Sequence, residues 1–250
     1  MERARWYIGC AGWALPRAVR AEFGPGDSNL ARYATRLGAA EINSSFYRPH
    51  ATATYRRWAD STPDNFRFSV KLPRAITHER RLVGCEHLLD EFLAQASGLG
   101  PRLGSLLVQL PPSLPLEGRS ARRFLRSLRQ RWAGAVAIEP RHASWFTAQA
   151  QDMLAASGVA RVLADPVRHE AGAWPGGIAH LAYLRLHGSP RMYYTPYEPS
   201  LIAALARRIA LALESGVTVW CVFDNTASGA AADNALRLAQ ALGALKEKTE

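Results

Sequence analysis

An alternation of eight short apolar runs with helix-like segments, in a chain of 250 residues, predicts an α/β fold: a single (β/α)8 TIM-type barrel. Each run ends in a polar or charged residue, and in such barrels the chemistry sits where the strands end. The length is that of one barrel, enough to bury a large core without disulfides or metals. No linker, low-complexity stretch or short repeat divides the chain, so residues 1–250 read as one domain.

The expected strands are Trp6–Cys10, Ala40–Asn43, Phe66–Val70, Ser105–Leu110, Ala135–Glu139, Ala160–Ala164, Ala182–Leu186 and Thr218–Phe223. The first helix starts from Asp27 or Ser28 as N-cap, carries Leu30, Tyr33, Ala34 and Leu37 on one face, and stops at Gly38. The second covers residues 52–61 and ends before Pro63. The third, near residues 87–99, has Leu88, Leu89, Phe92, Leu93 and Ala96 at helical spacing. The fourth starts at Ser120 and buries Phe124, Leu125, Leu128 and Trp132; the fifth is capped by Thr147 and ends at Gly158. Between strands six and seven, residues 167–180 hold Pro175 and several glycines but no apolar stripe, which predicts a loop or a reduced helix. The seventh helix begins at Pro199, suited to a first turn, and ends at Gly216; the last covers residues 230–242. Two long loops, residues 71–86 and 188–199, are placed to cover the barrel mouth.

The formal net charge of +10 favours polyanionic partners, either phosphorylated metabolites or nucleic acid. The run Arg119, Arg122, Arg123, Arg126, Arg129 and Arg131 equally fits a solvated helix face. The cysteines, Cys10, Cys85 and Cys221, lack metal-ligand spacing and read as small apolar fillers in a reducing compartment. Cys10 and Cys221 are expected on the adjoining first and last strands. No apolar run approaches the roughly 20 residues of a membrane span. Residues 1–5 lead straight into the first strand with no signal-peptide pattern, so the expected location is the cytoplasm, with no membrane partner.

Lys71 is the sole lysine in the body of an arginine-rich chain; Lys246 and Lys248 lie in the C-terminal tail. It follows a barrel strand, and a lysine, unlike an arginine, loses its proton when desolvated or forms a Schiff base. The alternative is a lysine paired with a nearby carboxylate. Glu41 and Glu139 end strands two and five, and Asp165 and Asp224 follow strands six and eight. Such carboxylates suit general acid/base work, or an ion network with Lys71, Arg141 and Arg185. His78 and His187 are the best-placed histidines, but no H-x-H or H-E-x-x-H spacing marks a metal site. Trp13, Phe46, Tyr47, Trp145, Tyr193, Tyr194 and Tyr197 follow strands and either stack on a sugar or base or pack the barrel top. Residues 225–229 offer a small-residue turn before the last helix, either a phosphate cradle or a turn capped by Ser228.

These residues form an ordered set of motifs. They are Ile8-Gly9-Cys10-Ala11-Gly12-Trp13, Glu41-Ile42-Asn43-Ser44-Ser45-Phe46-Tyr47, and Phe68-Ser69-Val70-Lys71-Leu72-Pro73 with Ile76-Thr77-His78. Gln109-Leu110-Pro111-Pro112-Ser113, Glu139-Pro140-Arg141-His142-Ala143-Ser144-Trp145, Arg185-Leu186-His187-Gly188 and Phe223-Asp224-Asn225-Thr226 follow. With these motifs, from Trp6 to Leu238, the chain resembles the Domain of Unknown Function 72 family, also called YecE-like proteins. The resemblance implies a TIM-type barrel with no settled activity, cofactor unknown. The family's polar positions match Glu41, Asn43, Lys71, His78, Gln109, Glu139, Arg141, Arg185, His187 and Asn225 here. The family usually has two asparagines after the last strand; here the first is Asp224, which adds a negative charge near Lys71 and Arg185.

The leading reading is an enzyme acting on a small anionic, phosphorylated or sugar-like substrate at the barrel mouth. Glu41 or Glu139 serves as general acid/base, Lys71, Arg141 and Arg185 hold negative charge, and His187 shuttles a proton. Asn43, Tyr47, His78, Gln109, Asp224 and Asn225 complete the expected binding surface. A second reading is a nucleic-acid-binding or metal-assisted phosphodiester-cleaving barrel drawing ligands from His78, Glu139, Asp165, His187 and Asp224. A third is a non-catalytic ligand-binding protein using the same mouth.

Overall fold

The computed structural model describes residues 5–247. The segment before Arg5 and the tail lysine Lys248 lie outside the described residues. Ten strands form one sheet: β1 (Trp6–Ala11), β2 (Ala39–Ile42), β3 (Arg67–Lys71), β4 (Leu103–Gln109), β5 (Ala135–Glu139), β6 (Ala160–Arg161), β7 (Leu163–Asp165), β8 (Gly176–Gly177), β9 (Leu181–Leu186) and β10 (Thr218–Phe223). Their order is β7-β9-β10-β1-β2-β3-β4-β5-β6-β8, with every pairing parallel except β6 to β8. The two ends of the parallel ladder come from one short segment. Ala160 and Arg161 pair with β5, and three residues further on Leu163–Asp165 pair with β9. A nearly closed barrel results. The expected strand over residues 160–164 is therefore broken at Val162, because the segment divides its ladder between two neighbours.

The expected reduced helix after strand six is a 3-10 turn, Glu170–Gly172, followed by β8, which pairs antiparallel with β6. That pairing needs glycine. A Cβ on Gly177 would fall 2.1 Å from the Val159 carbonyl oxygen, and its φ is +76°.

The helices are α1 (Asn29–Tyr33), α2 (Ser44–Tyr47), α3 (Thr52–Asp60), α4 (Glu86–Ala96), α5 (Gly118–Arg131), α6 (Ala148–Ala156), α7 (Pro199–Glu214) and α8 (Ala230–Glu247). Ser28 and Thr147 cap α1 and α6 as expected, accepting from the amides of Ala31 and Ala150. α5 starts two residues before Ser120, because the Glu117 carboxylate accepts from the amides of Arg119 and Ser120. α4 stops short of Leu99, giving way to a 3-10 turn over Ser97–Arg102 that contains Pro101. Ser228 does not cap α8; its hydroxyl donates to the Tyr194 carbonyl at 2.5 Å. Cys10 and Cys221 sit on adjoining β1 and β10, buried and free.

Alternating strand residues divide the molecule into two layers. Outward residues such as Phe68, Val70, Leu106, Val136 and Ile138 pack under the helices against Leu89, Phe92, Phe124, Leu125 and Leu128. Each such burial stabilises the fold by about 1.5–3 kcal/mol. Inward residues fill the barrel, where Tyr7, Trp220 and Tyr183 stack with centroids 4.6 and 5.9 Å apart. A side chain on Gly104 would meet this plug, its Cβ 2.8 Å from the Trp220 ring. The aromatic plug closes the barrel below the polar layer.

Candidate functional site

Strand periodicity of two sets the polar layer. Ser69 and Lys71, Leu107 and Gln109, Ala137 and Glu139, and Tyr183, Arg185 and His187 are successive inward positions; Glu41 and Asp224 share that face. Register aligns the floor: Glu41 lies level with Ser69, and Gln109 with Glu139.

Arg185 is the hub, 1% exposed. Its Nε and Nη2 donate to Glu41 at 3.1 and 2.7 Å, Nη1 donates to Glu139 at 2.5 Å, and Nη2 also reaches Asp224 at 2.9 Å. Tyr183 donates to Glu41 Oε2 at 2.9 Å and accepts from Ser69 at 2.8 Å. Arg141 donates from Nε to Glu139 Oε1 at 2.9 Å. His187 Nδ1 bonds Asp224 Oδ2 at 3.0 Å, and its Nε2 stands 3.8 Å from Glu139 Oε1.

Burial opposes every charge here, and the network decides which survive. Glu139 is held well below the usual carboxylate range: Arg185, the nearby His187 and Arg141 outweigh burial. Asp224 is lowered in the same way by His187 and Arg185 against burial. His187 is raised, because its carboxylate partners Asp224 and Glu139 outweigh burial. Burial works against the Arg185 charge as well, and Glu41, Glu139 and Asp224 overcome it.

Lys71 is the exception. It is 7% exposed, and its Nζ lies 4.1 Å from the centroid of the Phe46 ring. No carboxylate lies within ion-pairing distance of it among the described residues, since the three floor carboxylates are taken up by Arg185. Burial, then repulsion from Arg185, lowers its pKa from 10.5 to about 8, against the pull of Glu41, Glu139 and Asp224. Burial, then the Lys71 charge, likewise lowers His78, whose Nδ1 bonds the Thr77 hydroxyl at 2.8 Å.

Above this floor opens a cavity of about 530 Å³. Of the expected site residues, Asn43, Tyr47, Lys71, His78, Gln109, Arg141, Arg185 and Asp224 line it. Its charged lining is Lys71, Arg74, Arg141 and Arg185 against Asp224. Glu139 and His187 instead line a separate void of about 20 Å³, room for one water, which Arg141 borders as well. Glu41 is fully buried beneath Arg185, and Asn225 is a loop brace, donating to Thr195 and Asn234. Both long loops contribute: Arg74 and His78 from one, Tyr193 and Tyr194 from the other. Tyr193 is held at φ +69° by its amide's bond to the His187 carbonyl.

Several candidates fall elsewhere. Trp145 is buried and donates to the Leu114 carbonyl, and Trp13 packs edge-on against Trp58 and Phe68. Asp165 accepts from Tyr197 at 2.5 Å, and Tyr197 accepts from the Gly188 amide. Among the described residues no three His, Cys, Asp or Glu side chains form a metal-binding group. Asp165 is engaged by Tyr197, His78 stands in the loop after β3, and Arg185 occupies the carboxylates that remain. The turn after β10 spends two amides internally, Ala227 to Tyr193 and Gly229 to Thr226. On α5, Arg123 and Arg131 pair with Glu86 and Asp90, while Arg129 bonds backbone carbonyls, so half of that arginine run is structural. Sequence reasoning passed over Tyr183, Ser69 and Arg74. The first two lie two residues before Arg185 and Lys71, so the strand period was the available signal.

The profile of the family described as Protein of unknown function DUF72 matches residues 7–250. The chain belongs to this family. UPF0759 protein YecE of Escherichia coli K12 is 33% identical over 165 residues, 64% of this chain and 58% of that protein. For YecE of strain O157:H7 the figures are 35% over 141 residues, 56% and 50%. The chain thus matches only about half the length of these curated relatives. UPF0759 protein YunF of Bacillus subtilis is 22% identical and covered over 94% of both chains. Crystal structures of DUF72 family proteins from Thermotoga maritima and Enterococcus faecalis superpose with TM-scores of 0.77 and 0.76. The first is 23% identical over 96% of this chain and 99% of that one; the second is 20% identical over 95% of each. The barrel is therefore the DUF72 fold. No helix among the described residues is long and apolar enough to cross a membrane.

Proposed function

We propose that this DUF72 barrel is an enzyme that binds a small anionic substrate in the mouth cavity and acts on it by general acid/base chemistry. One observation carries the reading. Lys71, Arg74, Arg141 and Arg185 line the cavity; the three arginines are ion-paired with Glu79, Glu139 and the floor carboxylates, whereas Lys71 is desolvated without a carboxylate partner among the described residues. A phosphate or carboxylate bound there would supply the missing counter-charge.

Glu41 and Glu139 serve as anchors in this scheme. Their oxygens are held by guanidinium and phenol groups, so they fix the pose of Arg185 and Arg141. Proton transfer falls to Lys71 and His78, the two nitrogen bases of the cavity whose pKa values are lowered. At pH ~7 a lysine of pKa about 8 is neutral roughly 300-fold more often than an ordinary one. Asn43, whose Oδ1 has no hydrogen-bond partner among the described residues, and Gln109 offer polar contacts to a sugar-like body. Tyr47, Tyr193 and Tyr194 form the rim.

The test is thermal stabilisation by inorganic phosphate, phosphomonoesters and small carboxylates, compared with neutral sugars. Anions raise Tm of the parent, and Arg141→Ala and Lys71→Met blunt the response. Equal response to neutral sugars, or none to any anion, contradicts the reading.

A further inference from the structure

Resting on the anion-binding reading above, we infer that Lys71 is a nucleophile and that the substrate is a small aldehyde or ketone bearing a phosphate or carboxylate, held as an imine on Nζ. The cavity wall offers no cysteine or serine, so Lys71 is its one nitrogen or sulfur nucleophile of ordinary reach besides the imidazole of His78. Its Nζ lies over the Phe46 ring, at the cavity wall and paired with no carboxylate, so that once its proton departs no fixed anionic partner holds the nitrogen. Arg74, Arg141 and Arg185 share that wall and seat the anionic group, which orients the carbonyl carbon toward Nζ. A lysine kept only for charge would need none of this isolation, since the neighbouring arginines already supply charge.

The step balances without a further reactant. The neutral amine adds to the carbonyl carbon, the carbonyl π pair moves to oxygen, and the amine proton follows to give a carbinolamine. Nitrogen then expels the hydroxyl, which leaves as water after taking one more proton. Counted from the ammonium form, one of its three protons stays on the iminium nitrogen and two leave in water. His78 lines the same cavity and is the group placed to relay the second proton.

The experiment is borohydride trapping followed by intact-mass and peptide mapping, with dihydroxyacetone phosphate and pyruvate as anionic probes and dihydroxyacetone as the neutral one. The sequence makes the readout clean, because the only other lysines are Lys246 and Lys248. The expected result is one reduced adduct on Lys71, at least tenfold less with the neutral probe, suppressed by excess inorganic phosphate and absent in Lys71→Arg. The phosphate competition uses the parent protein and needs no variant to fold. Adducts confined to Lys246 and Lys248, or equal labelling of all three lysines, overturn the inference. Calorimetric titration with phosphate separates the two claims: phosphate binding without a Lys71 adduct removes the imine and leaves the anion site, whereas no phosphate binding removes both.

Discussion

Replacing Lys71 by methionine keeps most of the unbranched stem and removes a charge that burial penalises. The lysine's pKa falls from 10.5 to about 8. A fall of that size corresponds to about 3 kcal/mol of folding free energy lost at pH ~7. The sign follows from proton counts. Between pH 8 and 10.5 the unfolded chain holds the Lys71 proton more often than the folded one, so this group's penalty shrinks as pH rises. By pH ~9 it is roughly 2 kcal/mol. Lys71→Met therefore unfolds at higher urea concentration than the parent at pH ~7, by up to ~3 kcal/mol, and the gap narrows by about 1 kcal/mol at pH ~9. Other titrating groups are common to both proteins and cancel in the difference. A variant less stable than the parent, or a gap that ignores pH, would show that Lys71 is paired rather than stranded. The gain in stability should accompany loss of the anion response, the usual exchange at a functional site.

Arg185→Met leaves Glu41, Glu139 and Asp224 without their shared counter-ion. It should lower stability by about 3–5 kcal/mol or more in chemical unfolding, as breaking a buried pair does; a loss under 1 kcal/mol would mean water reaches the floor. Asp224→Asn removes the main support of the raised His187 pKa. Protonated His187 stabilises the fold at low pH, and that contribution fades as pH rises through its folded value. The substitution should thus cost more at pH ~5.5 than at pH ~8.5, and an equal cost at both would contradict the His187–Asp224 linkage.

Much of this arrangement could be read from residue order. A polar residue at the end of an apolar run marks the barrel mouth, which located Lys71, Gln109, Glu139 and Arg185. Less legible was anything decided by competition between neighbours. Residues 160–165 look like one strand because both halves are apolar; only the closing geometry reveals that they serve different partners. That Arg185 holds the oxygens of both Glu41 and Glu139 is likewise invisible in the neighbourhood of either glutamate. Asp165 has the same local setting as Asp224, yet Tyr197, arriving from the loop after β9, claims it. The isolation of Lys71 follows from where Arg185 spends its donors, a fact no local window contains.

The most direct measurement is the pKa of Lys71, from NMR titration of protein labelled with 13C at lysine Cε. Three lysines give three resonances at most. One should titrate near 8, vanish in Lys71→Met and shift upward when phosphate is added, with the tail lysines near ~10.4. If every lysine titrates near ~10.4 with and without phosphate, Lys71 is an ordinary paired cation and the account of the site fails.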